Sequence, residues 1–345
     1  MTGTQPPVPG SLPAGKLPGE LLARLVATYA THDDVSVVVG PGRGHDAAVV
    51  KLGNSLLAVK SDPITFASAT AAAYLVDVNA NDLACLGATA RWLLVTALLP
   101  AHSTTAEAVE AQFRDLAAIC AARGISLVGG HTEITPAVNW PILIGALFGD
   151  VTEGSLLHPG GAKPGDRLLV TKSLAIEGTA LLARELSGRL FATIGPDIVA
   201  RAAALLADPG ISVVHDARVL LGCGGVTALH DPTEGGLATG ACEIASAASC
   251  GVVLTRSAIP ILPETAAIAA ALGLDPLGLL ASGSLLATAS PAHAPSLISA
   301  GTDAGLLVTD IGEITADPGA YLREPDGRIS PLPEFSSDEI TRVLS

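Results

Sequence analysis

The residues best suited to chemistry in this chain gather in one octet, His230-Asp231-Pro232-Thr233-Glu234-Gly235-Gly236-Leu237. It follows an apolar run that ends at Leu229 and precedes an alanine-rich segment of helical character, Ala238 to Ala248. Asp231, Glu234, Gly235 and Gly236 therefore fall in a loop that opens a helix. The free N–H groups of a helix start, with glycines permitting close backbone approach, suit an anion such as a phosphate. A carboxylate at the same place suits the cation that travels with phosphate, usually Mg2+. The octet also reads as a capped turn, with Asp231 or Thr233 as N-cap and the glycines as turn formers.

Other segments set polar groups where a structural role is open beside a functional one. Gly40-Pro41-Gly42-Arg43-Gly44-His45-Asp46 is a glycine loop that Asp46 closes just before Val49-Val50 resumes a strand, and a turn-forming aspartate explains it too. The strand Ser55 to Lys60 is expected to end at Ser61-Asp62-Pro63, which puts Asp62 at a strand end, where sites in α/β proteins tend to lie. Asp77-Val78-Asn79-Ala80-Asn81-Asp82 lies inside a helix expected over Ala69 to Gly87, with Asp77 and Asn81 at i,i+4 and Asn79 and Asp82 at i,i+3. Poor helix formers inside an apolar helix are costly to bury without partners, and a bound cation would be such a partner. Ile125 to Val128 reads as a strand ending in Gly129-Gly130-His131-Thr132-Glu133. His131 there either binds phosphate or metal or is hydrogen-bonded structure.

The elements that must position these groups alternate through both halves. Leu17 to Ala30 is an amphipathic helix and Val35 to Val39 a short strand. Arg91 to Leu99 is a strand, and Thr104-Thr105-Ala106-Glu107 a capping box for a helix through Cys120 closed by Gly124. Pro141 to Gly149 is a further strand. A turn-rich boundary falls near His158 to Asp166. Beyond it come strands at Arg167 to Thr171, Val252 to Leu254 and Leu306 to Ile314, and helices at Gly178 to Leu186, Ile198 to Leu206 and Glu264 to Leu272. The expected organisation is a flexible arm over 1–18 carrying Lys16, an N-terminal domain over 19–158, a C-terminal domain over 159–325 and a polar tail over 326–345. The class is α/β (α+β). Neither G-x-G-x-x-G after a first strand nor G-x-x-x-x-G-K-[ST] occurs, so the ordinary nucleotide folds are not signalled.

Composition narrows the partners. A chain of 345 residues has room for two ordinary domains. Nearly half of it, 49%, is hydrophobic but only 3% aromatic, so the core is built from Ala, Val, Leu and Ile. The 33 acidic and 19 basic residues leave a charge of −14, which argues against nucleic acid or an anionic membrane as partner. It does not argue against a nucleotide carried with Mg2+. The cysteines Cys85, Cys120, Cys223, Cys242 and Cys250 form no C-x-x-C pair and are expected reduced and mostly buried, in a cytoplasmic protein. Cys223, in Gly222-Cys223-Gly224-Gly225, is the one placed for exposure, and no histidine is placed to activate it. No apolar run reaches the ~18 residues of a membrane span, and the start has no charged-then-apolar signal pattern.

Five segments together resemble the aminoimidazole ribonucleotide (AIR) synthase superfamily, the PurM-like proteins. They are Gly44 to Val49, Lys60-Ser61-Asp62, Asn79 to Ala88, Gly129-Gly130-His131-Thr132 and His230 to Leu237, in the family's order. Within it the pattern is most similar to the HypE hydrogenase maturation factors, through Asp231 to Leu237, Asp275-Pro276-Leu277 and Ala281 to Leu286. The resemblance implies two α/β domains, with the N-terminal domains of two copies pairing their sheets into a barrel-like homodimer. It implies ATP in a cleft near that interface and Mg2+ held by Asp46, Asp62 and Asp82, supported by Asn81. Lys60, Gly129, Gly130, Thr132, Gly235 and Gly236 would line the nucleotide, and Asp231 and His131 would take the catalytic positions. The shared chemistry is attack on the γ-phosphate of ATP by an oxygen or related nucleophile of a small molecule.

The chain departs from the pattern at several places. His45-Asp46 stands where many relatives have Asp-Asp, and Gly129-Gly130-His131 where the HypE and thiamine-monophosphate kinase patterns have Gly-Gly-Asp. A histidine there is similar to selenophosphate synthetase, whose reactive N-terminal loop is absent. The chain closes on Arg342-Val343-Leu344-Ser345 where HypE has the cysteine that carries its carbamoyl group. The resemblance therefore leaves the acceptor open. Two rival readings remain: a nucleotide-binding accessory protein in a maturation pathway without turnover, and a purely structural dimer in which protein groups alone satisfy the polar helix at 77–82.

Overall fold

The computed structural model describes residues 12, 17, 19–30, 34–42, 44–65, 70–152 and 154–344. Lys16 and nearly all of the expected arm lie outside the described residues, as do Arg43 and Ser345. The first half runs α1 (Gly19–Tyr29), β1 (Val37–Val39), β2 (Ala48–Leu52), β3 (Ser55–Ile64), α2 (Ala71–Cys85), β4 (Thr89–Pro100), α3 (Ala106–Arg123), β5 (Ser126–Thr135) and β6 (Ile142–Val151). Its strands form one sheet in the order β1-β2-β3-β6-β4-β5. Only β4 and β5 are parallel, because α3 carries the chain from one to the other.

Helix α2 lies flat on this sheet. Strand β6 alternates buried and less buried residues along its length, and its buried residues Leu143 and Leu147 belong to the same core as Leu75, Val76 and Leu83 of α2. Gly145 and Gly149 alternate with them on that face. A Cβ at Gly145 would meet the Asn79 amide at 3.0 Å, and one at Gly149 would meet Leu83 Cδ2 at 2.8 Å, so glycine there lets the helix descend onto the sheet.

The second half runs β7 (Arg167–Thr171), α4 (Ile176–Glu185), α5 (Ser187–Ile194), α6 (Pro196–Ala204), α7 (Val214–Cys223), β8 (Val226–His230), α8 (Gly236–Ala247), β9 (Gly251–Thr255), α9 (Pro263–Leu272), β10 (Leu286–Ala289), α10 (Ala294–Asp303), β11 (Val308–Thr315), β12 (Ala320–Arg323) and β13 (Ile329–Pro331). Its sheet has the order β13-β12-β9-β11-β7-β10-β8. Both faces are covered. Leu168 and Val170 of β7 enter one core with α4, α6, α8 and α9, while Leu169 enters another with α7 and α10. That second core also takes Ala84 and Cys85 from the end of α2, so α2 is packed on both sheets and ties the halves together.

Several local expectations differ from the structure. Asp62 sits inside β3, which continues through Pro63 to Ile64. Gly129 to Glu133 sit inside β5, not after it. The register with β4 slips at Leu93/Leu94, leaving Val128 as an extra residue, and Gly130 passes so close that a Cβ would overlap the Val95 carbonyl. Thr105, not Thr104, caps α3 by accepting from Ala108 N at 3.2 Å. The polar stretch after Tyr321 supplies the edge strand β13, and Leu332, Phe335 and Leu344 join the core that holds Leu168, Val170 and helices α4, α6, α8 and α9. Cys85 and Cys120 are buried, Cys242 and Cys250 half-buried and Cys223 exposed. Among the described residues no single helix is long and apolar enough to cross a membrane.

Asn81 is the polar clamp between the halves. Its Nδ2 donates to the Ile211 carbonyl at 2.9 Å and its Oδ1 accepts from Val213 N at 2.8 Å. Replacing it by alanine strands a buried carbonyl and a buried N–H. Asn81→Ala is expected to lower the unfolding free energy by about 2–4 kcal/mol, seen as a lower urea midpoint. An unchanged midpoint would show that the clamp holds nothing.

Candidate active site

Four separate elements converge where the halves meet. Asp46 comes from the loop before β2, Lys60 and Asp62 from β3, Asp82 from α2, and His230 and Asp231 from the end of β8. Residues 60 and 62 share one face of their strand. Lys60 Nζ stands 2.6 Å from Asp82 Oδ2 and 3.2 Å from Asp62 Oδ2. His230 bridges the halves, with Nδ1 2.9 Å from Asp46 Oδ2 and Nε2 2.9 Å from Glu243 Oε2 on α8. Cys85 points its thiol at Asp231 Oδ1 across 3.5 Å. The Asp46 loop rests on α8 through Gly44, where a Cβ would meet the Glu243 carbonyl at 2.9 Å.

The electrostatics are those of too many buried carboxylates for one lysine. Burial, reinforced by Asp231, pushes Asp82 well above the usual carboxylate range, against the pull of Lys60. Burial and Asp46 push Asp231 up to about 6, partly offset by His230 and Asp82. Burial opposes charge on His230, but Asp46 and Glu243 outweigh it and hold the imidazole protonated above its ordinary range. Lys60 is likewise held protonated, Asp82 and Asp62 outweighing its burial. Burial beside Asp231 and Asp82 pushes the Cys85 thiol up, so it is not an activated nucleophile.

These residues fit a hard divalent cation. The donors at the centre are carboxylate oxygens, and Asp82 Oδ2 is buried with no hydrogen-bond partner, meeting only the Lys60 ammonium. Carboxylate oxygens of Asp46 and Asp231 lie within 4.8 Å of each other, while both nitrogens of His230 are engaged by Asp46 and Glu243. A cation beside Asp46, Asp82 and Asp231 would relieve the repulsion that now raises their proton affinity.

The polar helix segment is resolved group by group. Asp77 takes a two-pronged ion pair from Arg123, at 2.8 and 3.0 Å. Asn79 accepts from Asp62 N at 3.0 Å and donates to Leu75 O at 2.8 Å. Asn81 clamps 211 and 213. Protein groups thus satisfy three of the four, and Asp82, with Lys60 as partner and other carboxylates around it, is the one a cation would relieve.

Other expected residues stand apart from the cluster. His131 is exposed on β5, 3.5 Å from Glu133, with Gly129, Gly130 and Thr132 on the same edge strand. Gly235, not Asp231 or Thr233, is the N-cap of α8, and its N–H donates to Asp338 Oδ2 at 2.9 Å. Gly236 is needed for packing, since a Cβ there would meet the Leu277 carbonyl at 2.3 Å. Sequence reasoning missed Glu243, although it is the one charged residue of α8 and so breaks an otherwise apolar and small-residue helix.

A second buried acidic group lies nearby. Glu177, in the first turn of α4, is pushed from the usual 4.5 to about 7 by burial, which outweighs the lowering pull of Ser282 and of Tyr74 of α2, while Glu234 and Asp338 add to the rise.

Models of the AIR synthase related protein family match twice, the N-terminal domain over residues 44–151 and the C-terminal domain over 163–324. The chain belongs to the AIR synthase related family. Among its relatives, carbamoyl dehydratase HypE of Cupriavidus necator is 29% identical over 291 residues, 81% of this chain and 78% of that protein. A selenide, water dikinase of Geobacter metallireducens is 28% identical over 339 residues, 87% and 93% of the two chains. A solved hydrogenase maturation protein HypE in complex with ATP superposes with a TM-score of 0.67 at 20% identity, covering 90% of this chain and 94% of that one.

Between pH 4.5 and 7 the folded chain keeps a proton on Glu177 that the unfolded chain releases, so this group's stabilisation is complete below 4.5 and is lost as pH rises through 7. The contribution reaches at most ~3 kcal/mol. The Tm of the wild type is expected to fall relative to that of Glu177→Gln as pH rises across this window. Parallel Tm curves for the two proteins would refute the assignment.

Proposed function

We propose that the chain is an ATP- and Mg2+-dependent enzyme that activates or phosphorylates an oxygen, or a related nucleophile, of a small molecule. The observation that carries this reading is the crowding at Asp82: a buried carboxylate ion-paired to the single buried Lys60, with the carboxylates of Asp46 and, from the second half, Asp231 pressing on it. ATP binding in a HypE structure of the same fold supports it. Asp46, Asp62 and Asp82 would hold Mg2+, which supplies charge neutralisation to the phosphoryl oxygens. Lys60 would take up negative charge as the bond to the leaving ADP lengthens. Asp231 would receive the proton of the attacking hydroxyl; the new bond forms between that oxygen and the γ-phosphorus, and the electron pair of the broken bond stays on ADP. His230 would orient Asp46 against α8. His131, Asn81 and the glycines at 129, 130, 235 and 236 enter the proposal only as nucleotide-side positions carried by family likeness.

A second reading, a nucleotide-binding accessory protein without turnover, is favoured by the exposure of His131 and by the Asp338 contact that occupies the Gly235 N–H. Phosphorus NMR of the full chain with ATP and Mg2+, with and without pooled small metabolites, separates the two. Appearance of ADP with phosphate or a new phosphoester is expected, falling about a hundredfold in Asp231→Asn. Asp82→Asn is expected to weaken Mg2+-dependent ATP binding about tenfold or more. Broadened ATP signals without turnover would favour the accessory role, and sharp unperturbed signals would remove both.

The same proposal includes a homodimer through the first sheet. Leu93 and Val95 of β4 are buried against the helices, whereas Trp92 and Leu94, with Val128 and Ile134 of β5, are exposed. A sheet with one apolar face uncovered calls for another layer. Ile134 lies opposite Leu99 on the helix-side face, so the open face is tested at Leu94 and Val128. Light scattering after gel filtration is expected to give a dimer for the wild type and a monomer for the double variant Leu94→Asp, Val128→Asp. A monomeric wild type would sink this part.

A further inference from the structure

A cavity of about 890 Å3 opens on the other side of the Asn81 clamp. Its walls come from the end of α3, the 172–176 turn, the 205–218 segment and the 304–307 loop. None of Asp46, Lys60, Asp62, Asp82, His230 or Asp231 lines it. Its size is that of a small-molecule site.

The lining is amphipathic in an ordered way. Leu205, Leu206, Leu262, Leu306 and Leu307 give an apolar wall, and Leu307 remains 58% exposed there. The charged groups are Arg123, Lys172 and Arg218 against Asp77 and Asp216. Arg123 is spent on Asp77. Lys172 Nζ is 3.2 Å from Asp216 Oδ2 and donates to the Ser212 carbonyl at 2.7 Å, while Asp216 also accepts from Thr171 Oγ1 at 2.6 Å. Arg218 is left over. It is exposed, one turn after His215 on α7, and neither has a hydrogen bond or ion pair among the described residues. An unmatched cation in a chain of charge −14 is a local reversal of sign. The paired cations cannot follow a ligand, but they fix the pocket's shape.

From these observations we infer that the cavity between the halves is a second small-molecule site, built for an organic anion whose phosphate or carboxylate meets Arg218 and His215 and whose apolar body lies on the leucine wall. It does not depend on the acid cluster binding nucleotide. A guanidinium suits either anion by paired N–H donors.

The test is a titration of the full chain, with leucine methyls labelled for NMR, using phenyl phosphate, 3-phenylpropionate and neutral benzyl alcohol as probes. Saturable shifts are expected at Leu206, Leu262, Leu306 and Leu307 with one or both anions, while Leu83 and Leu229 near the acid cluster stay still. Which anion binds more tightly identifies the headgroup. Arg218→Gln, a change at an exposed position, is expected to weaken the anion by about tenfold, the value of one charge-assisted hydrogen bond. Three results would each overturn the site: no saturable shift at the pocket leucines, equal binding of benzyl alcohol, or unchanged affinity in Arg218→Gln with its amide spectrum intact.

Discussion

A helix packed on two sheets has no wet face on which to leave a polar group. Twelve of the 15 residues of α2 are buried, and four polar side chains lie among them. Each must find a partner or cost several kcal/mol. Asp77 finds Arg123, Asn79 finds the backbone of β3, and Asn81 finds the backbone that joins the halves. These three contacts fix the rotation and depth of α2, and that position is what delivers Asp82 to Lys60 and Asp231. Asp82 is therefore the one polar group of α2 whose partner, Lys60, is shared with other carboxylates.

That pattern also explains what was legible in the sequence. Asp46, Asp82 and Asp231 drew attention because each breaks a local rule, a carboxylate in a glycine loop, an apolar helix or a helix-opening turn. The same rule-breaking at Asp77, Asn79 and Asn81 is met by protein partners at 123, 62 and 211–213, which are distant or are backbone atoms that no residue type reveals. Lys60 was visible only through family likeness, since a lysine in a strand is ordinary. Gly129-Gly130 is ambiguous in principle: a phosphate and a neighbouring strand make the same demand for a missing Cβ. Pro63 suggested a strand end, yet β3 passes through it. The strands β12 and β13 escaped because they are short and polar, at the edge of the second sheet.

Charge is distributed with the same economy. The chain is acidic, but its acids are not spread evenly where the halves meet. They crowd around Lys60 and His230 on one side of Asn81, and on the other side the balance tips to Arg218. One asparagine thus stands between a region short of positive charge and a region with positive charge to spare.

The bridge from His230 to Asp46 joins residues 184 positions apart. Neither core contains this contact; it exists only while both halves are folded and seated. Closing so long a loop comes late in folding and is among the first gains to be given up. Parting the halves by a few ångströms would scatter the carboxylates while leaving each sheet and its helices intact. The chain is therefore built to lose its chemistry before it loses its shape, and spectra dominated by helix would overstate how much working protein remains.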